Sequence, residues 1–154
     1  MADIIKEIDT IGDLLASVGV TRLYKQDLPL KYVANTIGIR WQGDSDSDFT
    51  QAAYEISRPY QVIYFGNSEV DCLNKSKLIS ASLRDHLKKK VKLRGSNDFI
   101  TFESFSMSPT FKTETDGVYA VVGVLSVSML EAYTQLTYEK MQEIHAAINR
   151  KGGI

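Results

Sequence analysis

Residues 57–66, SRPYQVIYFG, decide the fold that we expect for this chain. From Tyr60 to Phe65 apolar side chains fall on both faces of an extended segment, which is typical of a strand in the centre of a sheet. Pro59 fits the first position of such a strand, because its missing amide donor does least harm there. The stretch therefore predicts a central strand at 60–65, ended by residues 66–68.

The chain after this strand predicts a helix and two further strands. Ser68 can cap a helix that runs to about Lys89, and its inner stripe is Cys72, Ile79, Leu83 and Leu87. A turn at 95–98 leads to a strand at 99–107. A long apolar strand at 118–129 again reads as central.

The dipeptide Asp116-Gly117 before that last strand predicts a hairpin with a type I′ turn. A two-residue turn pairs Thr113 with Ala120 and sets Pro109 opposite Val124. Proline cannot donate to a ladder, so we expect a bulge or a local edge at Pro109.

A helix is predicted at each end of the chain. The first spans about residues 2–18, with an apolar stripe of Ile4, Ile8, Ile11, Leu15 and Val18. A strand at 33–41 follows, with a bulge expected at Gly38. Residues 43–50, GDSDSDFT, predict an acidic loop. The last helix is predicted at 133–149.

These elements predict one α/β (α+β) domain over residues 1–154, with a sheet-and-helix core at about 31–150. We expect a mixed, mostly antiparallel sheet of about four strands, flanked by two to three helices. A chain of 154 residues is long enough to bury a core without disulfides.

Composition and charge exclude several classes of function. A formal net charge of −1 gives no global attraction to nucleic acid or to an anionic membrane. The single cysteine, Cys72, excludes an intrachain disulfide and a multi-cysteine zinc site. The first residues lack the pattern of a signal peptide, and no apolar run approaches the about 20 residues of a membrane helix.

The acidic loop has one feature of a calcium site. Counting from Asp44, residues Asp46, Asp48 and Glu55 fall at positions 3, 5 and 12 of an EF-hand loop. Position 6 is Phe49 instead of the glycine that the turn needs, so we predict a solvated acidic loop that can face a basic partner.

No arrangement of residues predicts catalysis. Neither His86 nor His145 has a metal-ligating neighbour one helical turn away, and Cys72 is expected to be a buried thiol. The glycines form no phosphate-binding loop and no nucleophile elbow. We therefore expect a protein that is not an enzyme and that has no cofactor.

Residues 84–94 hold six basic side chains at the predicted end of a helix. They are Arg84, Lys88, Lys89, Lys90, Lys92 and Arg94. Three interpretations stay open: a solvated helix end, the rim of a protein interface, or contact with nucleic acid through phosphates.

The order of these elements resembles a known family. The phrase RPYQVIYFG at 58–66, a helix, the strand FITFE at 99–103, the hairpin at 116–117 and a terminal helix together look like a tail terminator of long-tailed bacteriophages. Such proteins are also called tail-completion or minor capsid proteins.

The resemblance implies a structural subunit of the virion, made in the cytoplasm of the host bacterium. Six copies would form a ring that caps the tail tube, stops its polymerisation and joins the head connector, or stopper. The implied partners are further copies of the chain, the tail tube protein and the connector, with DNA passing through the lumen without sequence-specific binding. No membrane partner is implied.

A ring needs two different patches on each subunit. The candidate subunit or partner interface comprises Asp44, Asp46, Asp48, Lys88, Lys89, Lys90, Arg94 and Asp116. The alternatives are another neck component, such as a head-completion or stopper protein, a nucleic-acid-binding module, and a small enzyme.

Overall fold

The computed structural model describes residues 3–132, which form a mixed β-sheet of eight strands and two α-helices. The helices are α1 (Ile4–Leu15), followed by a 3₁₀ turn (Ala16–Val18), and α2 (Glu69–Arg84). The strands are β1 (Arg22–Lys25), β2 (Thr36–Trp41), β3 (Ser45–Asp48), β4 (Ala53–Gly66), β5 (Lys90–Lys92), β6 (Phe99–Met107), β7 (Phe111–Lys112) and β8 (Tyr119–Ala132). The predicted helix at 133–149 lies outside the described residues.

The strands are ordered β1-β2-β4-β8-β6-β5, while β3 also pairs with β4 and β7 also pairs with β8. Among the pairings between strands of residues 3–132, only β1–β2 is parallel. The isolated bridge between Leu87 and Phe102 is parallel as well. The predicted mixed, mostly antiparallel sheet is confirmed. The central positions of β4 and β8 are also confirmed, because the two strands pair along their whole length, from Ala53↔Ala132 to Gly66↔Tyr119.

The prediction of about four strands was wrong, because it did not include four short strands. β1, β3, β5 and β7 have two to four residues each. A segment of that length does not complete enough periods of alternation to be recognised. These short strands form through their pairing with longer neighbours rather than through their own sequence.

One face of the sheet packs against the helices. The stripe of α1 that the sequence predicts is buried at Ile8, Ile11 and Leu15, and it belongs to the same buried cluster as Tyr60 and Tyr64 of β4. Asp3 caps α1 by accepting a hydrogen bond from the Ile5 amide at 2.8 Å. The predicted N-terminal helix is therefore confirmed.

The second helix begins as predicted and ends early. The Ser68 hydroxyl accepts a hydrogen bond from the Asp71 amide at 3.1 Å. The helix ends at Arg84 rather than at Lys89. Lys88 has a φ of 62°, and its amide donates to the Phe102 carbonyl at 2.6 Å. The backbone of residues 88 and 89, which was predicted to be helical, instead forms hydrogen bonds with Phe102 of β6.

Two expectations about strand positions were wrong for local reasons. Pro59 lies in the middle of β4 and not at its start. It faces the gap between β2 and β3, where its carbonyl accepts a hydrogen bond from the Gln42 amide. Its missing donor therefore removes no ladder bond. Gly38 marks no bulge, since the β2–β4 register is continuous. It is a close approach, where a Cβ would clash with Leu28.

The hairpin before β8 is longer than predicted. Phe111 pairs with Ala120, so the expected type I′ turn and the Thr113–Ala120 pairing were wrong. Thr113 instead donates to the carbonyl of Val118 at 3.0 Å. Gly117 has a φ of 73°, whereas Asp116 is not among the residues with positive φ. The sheet is interrupted between β6 and β7, which confirms the irregularity expected at Pro109.

Candidate functional site

The predicted acidic loop is instead an edge strand. Residues 45–48 form β3, which pairs antiparallel with β4 and exposes all four of its side chains. Asp46 lies opposite Ile56, and Asp48 lies opposite Tyr54. We call β3, with Asp46 and Asp48, the acidic edge.

Asp44 precedes β3, and its carboxylate is bound within the subunit although the residue is exposed. Its carboxylate accepts hydrogen bonds from the Trp41 indole nitrogen and from Arg58 Nε, each at 2.8 Å. It therefore anchors the chain that enters β3. The sequence grouped Asp44 with Asp46 and Asp48, but the structure separates its role from theirs.

The predicted basic helix end also becomes an edge strand. Lys90 and Lys92 lie on β5, which pairs with β6, and both side chains are exposed. Lys89 precedes them and continues the same register, because its carbonyl accepts from the Phe102 amide at 3.3 Å. We call β5, together with Lys89, the basic edge.

Two of the predicted interface cations already have partners within the subunit. Lys88 Nζ contacts Glu103 Oε2 at 3.0 Å. Arg94 forms an ion pair with Asp13, and its Nε donates to Asp13 Oδ2 at 2.7 Å. Because Lys88 and Arg94 are paired within the subunit, the remaining positive charge of this segment, as far as residues 3–132 show, is carried by the basic edge.

The acidic and basic edges lie at the same end of the sheet. Asp46 pairs through Ile56 with Met129, and Lys90 pairs through Thr101 with Ser128. The two charged strands are therefore level with each other on opposite borders of the sheet. Asp116 is exposed on the hairpin before Tyr119, at the far end of β8, so the structure does not bring it to either edge.

A buried ionic cluster supports the acidic edge from within. Arg58 and Glu7 are 4% and 0% exposed, and Arg58 Nη1 contacts Glu7 Oε2 at 2.5 Å. The Tyr60 hydroxyl donates to the other carboxylate oxygen of Glu7 at 3.0 Å. Because Arg58 also binds Asp44, this cluster links α1, β4 and the entry to β3.

Burial and neighbouring charges shift the pKa values of these groups in opposite directions. Burial raises the pKa of Glu7, while the charge of Arg58 and the hydrogen bond from Tyr60 counteract part of that rise. Burial lowers the pKa of Arg58, but its hydrogen bond to Asp44 and the charge of Glu7 raise it by more. Burial also raises the pKa of Tyr60, so its hydroxyl remains a donor.

The sequence holds one signal for this cluster, which was not among the predicted site residues. Glu7 lies three residues after Ile4 and four before Ile11, so it falls on the apolar stripe of α1. An acid within such a stripe requires a buried partner. Arg58 lies in the phrase that leads into the central strand, where its sequence neighbours give no sign of a buried acidic partner.

The remaining candidates for metal binding or catalysis are Glu55 with the acidic residues, Cys72 and the histidines. Glu55 lies opposite Ser47 and projects from the sheet face away from that of Asp46, so the calcium spacing brings no ligand set together. Within residues 3–132, no group of three or more His, Cys, Asp and Glu is placed to hold a metal ion. Cys72 is a buried thiol, as expected, and burial raises its pKa. His145 lies outside the described residues.

No helix within residues 3–132 has the length and apolar character needed to cross a membrane.

Comparison with known proteins identifies structural neighbours but no family. No family model matches the chain, and no curated protein matches it. A chain of the solved structure "Virion of native gene transfer agent (GTA) particle" is similar to this chain with a TM-score of 0.49 and 10% sequence identity. The match covers 79% of this chain and 92% of that one. It assigns no role to individual residues.

Proposed function

We propose that this protein is a structural component of a phage-like virion, and more specifically a tail terminator. Six copies form a ring that caps the tail tube, stops its polymerisation and docks the tail on the head connector. In this proposal the protein is not an enzyme and needs no cofactor. The order of its elements, which resembles that of tail terminators, supports the assignment.

One observation carries the proposal: the sheet ends in two unlike borders at the same level. The acidic edge carries Asp46 and Asp48, and the basic edge carries Lys89, Lys90 and Lys92. A closed ring is built from heterologous contacts, which need two different and complementary patches on each subunit. This subunit offers such a pair.

The tube protein and the connector are the proposed partners on the two sides of the ring, and DNA passes through its lumen. The near-neutral net charge of −1 suits a channel through which DNA slides without being held. A nucleic-acid-binding module is disfavoured, because Lys88 and Arg94 are already paired with acids of the same subunit. Another neck component, such as a stopper, would bind the connector but would not bind the tube.

A tube-capping assay tests the assignment. Tubes assembled from the tail tube protein of the same virus are mixed with the purified full chain, and their lengths are measured by electron microscopy. We expect capped ends and arrested growth. A protein that joins only connectors is a different neck component, and a salt-sensitive shift of free DNA without capping favours nucleic-acid binding. A stable monomer that neither caps tubes nor joins connectors contradicts the proposal.

A further inference from the structure

A groove of about 340 Å³ lies on the face of the sheet opposite α1 and α2, between the segment that precedes β2 and the hairpin that precedes β8. Buried Ile63 and Phe65 form its floor. Tyr32 stacks on Phe65 with 4.5 Å between the ring centroids, and its amide donates to Thr115 Oγ1 at 3.1 Å. Within residues 3–132, neither helix contributes to the apolar cluster on this face, so the groove stays open.

Arg40 lies on one side of this groove with an unsatisfied donor. It pairs across the sheet with Gln61, and its Nε is buried without a hydrogen-bond partner. Its guanidinium forms no ion pair among the described residues. A buried donor gains stability when an acceptor reaches it. A carboxylate is the best acceptor here, because it can bind a guanidinium through two parallel N–H donors. This side of the groove therefore fits an acid.

Glu114 lies on the other side of the groove, beyond β7, and its exposed side chain forms no ion pair within residues 3–132. Lys112 also borders the groove, but it pairs with Tyr119, which packs on the helix-bearing face. The charge of Lys112 is therefore directed away. Between Arg40 and Glu114 the lining is mostly apolar and includes exposed Phe111.

The solvent side of α2 carries the reverse order of charges. Glu69, Leu73 and Lys77 follow each other at intervals of four residues, so they lie along one side of the helix with Val70 beside them. Val70 and Leu73 are 66% and 52% exposed. In the described part of the chain, Glu69 and Lys77 form no ion pair. An exposed apolar patch with a polar rim is typical of an interaction site. We call these four residues the α2 ridge.

We propose that the α2 ridge of one copy docks in the groove of the next copy. Glu69 then supplies the carboxylate that Arg40 Nε lacks. On the other side of the groove, Lys77 meets Glu114, and the apolar side chains between them meet the apolar lining. An amphipathic helix that lays its apolar side into a groove is a common mode of recognition.

The positions of the two surfaces suit a ring. The α2 ridge and the groove lie on opposite faces of the sheet, so a copy cannot fill its own groove. Each copy offers its ridge to one neighbour and its groove to the other, which is a heterologous contact. The inference therefore rests on the proposed ring. It adds to the short charged edges the apolar area that the core of an interface needs.

Two single variants and their mixture test this contact. Arg40→Glu places acids on both surfaces of one variant, and Glu69→Arg places bases on both surfaces of the other. In a ring with an even number of copies, an alternating mixture pairs an acid with a base at every contact. Rings on tail tubes are counted by electron microscopy for each variant and for the equimolar mixture. Arg22→Glu and Asp85→Arg, at exposed positions outside both surfaces, are the matched controls.

We expect each variant alone to lose about nine-tenths of its rings, because like charges face each other at every contact. The mixture should regain most of them, which also shows that both variants fold, and the controls should match the unmodified chain. Rings that survive in either folded variant, or a mixture of folded variants that forms none, overturn the docking and leave the proposed function standing. An unmodified chain that forms no ring on tubes overturns the proposed function as well.

Serine substitutions test the apolar part of the contact. Val70→Ser combined with Leu73→Ser should lose most rings and keep the fold, because both side chains are exposed in the subunit. Leu78→Ser is the control, since Leu78 is 49% exposed and lies on another side of α2. Equal numbers of rings in the two variants overturn the docking.

Carbodiimide coupling of the unmodified chain provides a measurement that needs no variant. A mixture of isotopically light and heavy protein is bound to tubes, coupled, and analysed by mass spectrometry. We expect mixed-label links between Lys77 and Glu114. The absence of such a link, whether or not other mixed-label links form, contradicts the docking.

Discussion

At the scale of single residues, the most consequential contact is the ion pair between Glu7 and Arg58. Both side chains are almost completely removed from solvent, and each makes further hydrogen bonds, to Tyr60 and to Asp44 respectively. A buried charge needs such partners, because its desolvation costs several kcal/mol that only well-placed partners offset. Removal of one partner of a buried ion pair lowers the stability of the fold by about 3–5 kcal/mol. The cluster fixes α1 on the sheet and holds the chain that leads into the acidic edge.

Replacing Glu7 alone therefore tests how much this ion pair contributes to the stability of the fold. We expect Glu7→Gln to lower the free energy of unfolding by about 3 kcal/mol, because Arg58 stays buried with Asp44 as its remaining anionic partner. Urea denaturation followed by circular dichroism measures the change. Asp13→Asn, at the exposed pair with Arg94, is the matched control and should have a much smaller effect.

The double replacement Glu7→Leu with Arg58→Met distinguishes a buried charge from a packing defect. Removing both charges together should restore most of the stability that Glu7→Gln loses. A double variant that is less stable than Glu7→Gln would contradict this account of the cluster.

At the scale of elements, the start of α2 depends on one side chain. The Ser68 hydroxyl accepts the hydrogen bond of the Asp71 amide, and Asp71 in turn accepts from the Tyr64 hydroxyl at 2.7 Å. The cap therefore connects the helix to the buried face of β4.

We expect Ser68→Ala to cost about 1 kcal/mol of stability, as the loss of a helix N-cap usually does. Thermal unfolding measures the difference. Ser76→Ala is the control, because the Ser76 hydroxyl donates to the Leu73 carbonyl inside the same helix and caps no amide. Equal effects of the two substitutions would show that Ser68 does not act as a cap.

The sequence predicted the long elements and failed on the short ones. The central positions of β4 and β8 follow from apolar side chains on both faces, and α1 follows from its stripe. β3 and β5 carry mostly polar or charged residues, so nothing in their own composition distinguishes them from a loop or a helix end. Pairing with the longer strand that follows each of them makes them strands. Asp44, Lys88 and Arg94 likewise have contacts that the sequence did not reveal.

At the scale of the whole molecule, two short strands determine where opposite charges lie on the surface. The long strands β4 and β8 fill the centre, while β3 and β5 place opposite charges on opposite borders at one end. In the ring that we propose, such a subunit would meet its neighbours head to tail. A contact through either edge would be short, since β3 has four residues and β5 has three. We therefore expect the tail tube to promote closure of the ring.

The most direct test of the central claim is the number of copies in the assembly that the full chain forms on tail tubes. Single-particle images of capped tube ends, with native mass spectrometry of the released caps, measure this number. We expect a closed six-fold ring of six chains of 17.2 kDa each. A protein that stays monomeric in the presence of tubes, or that binds them without forming a closed ring, would contradict it.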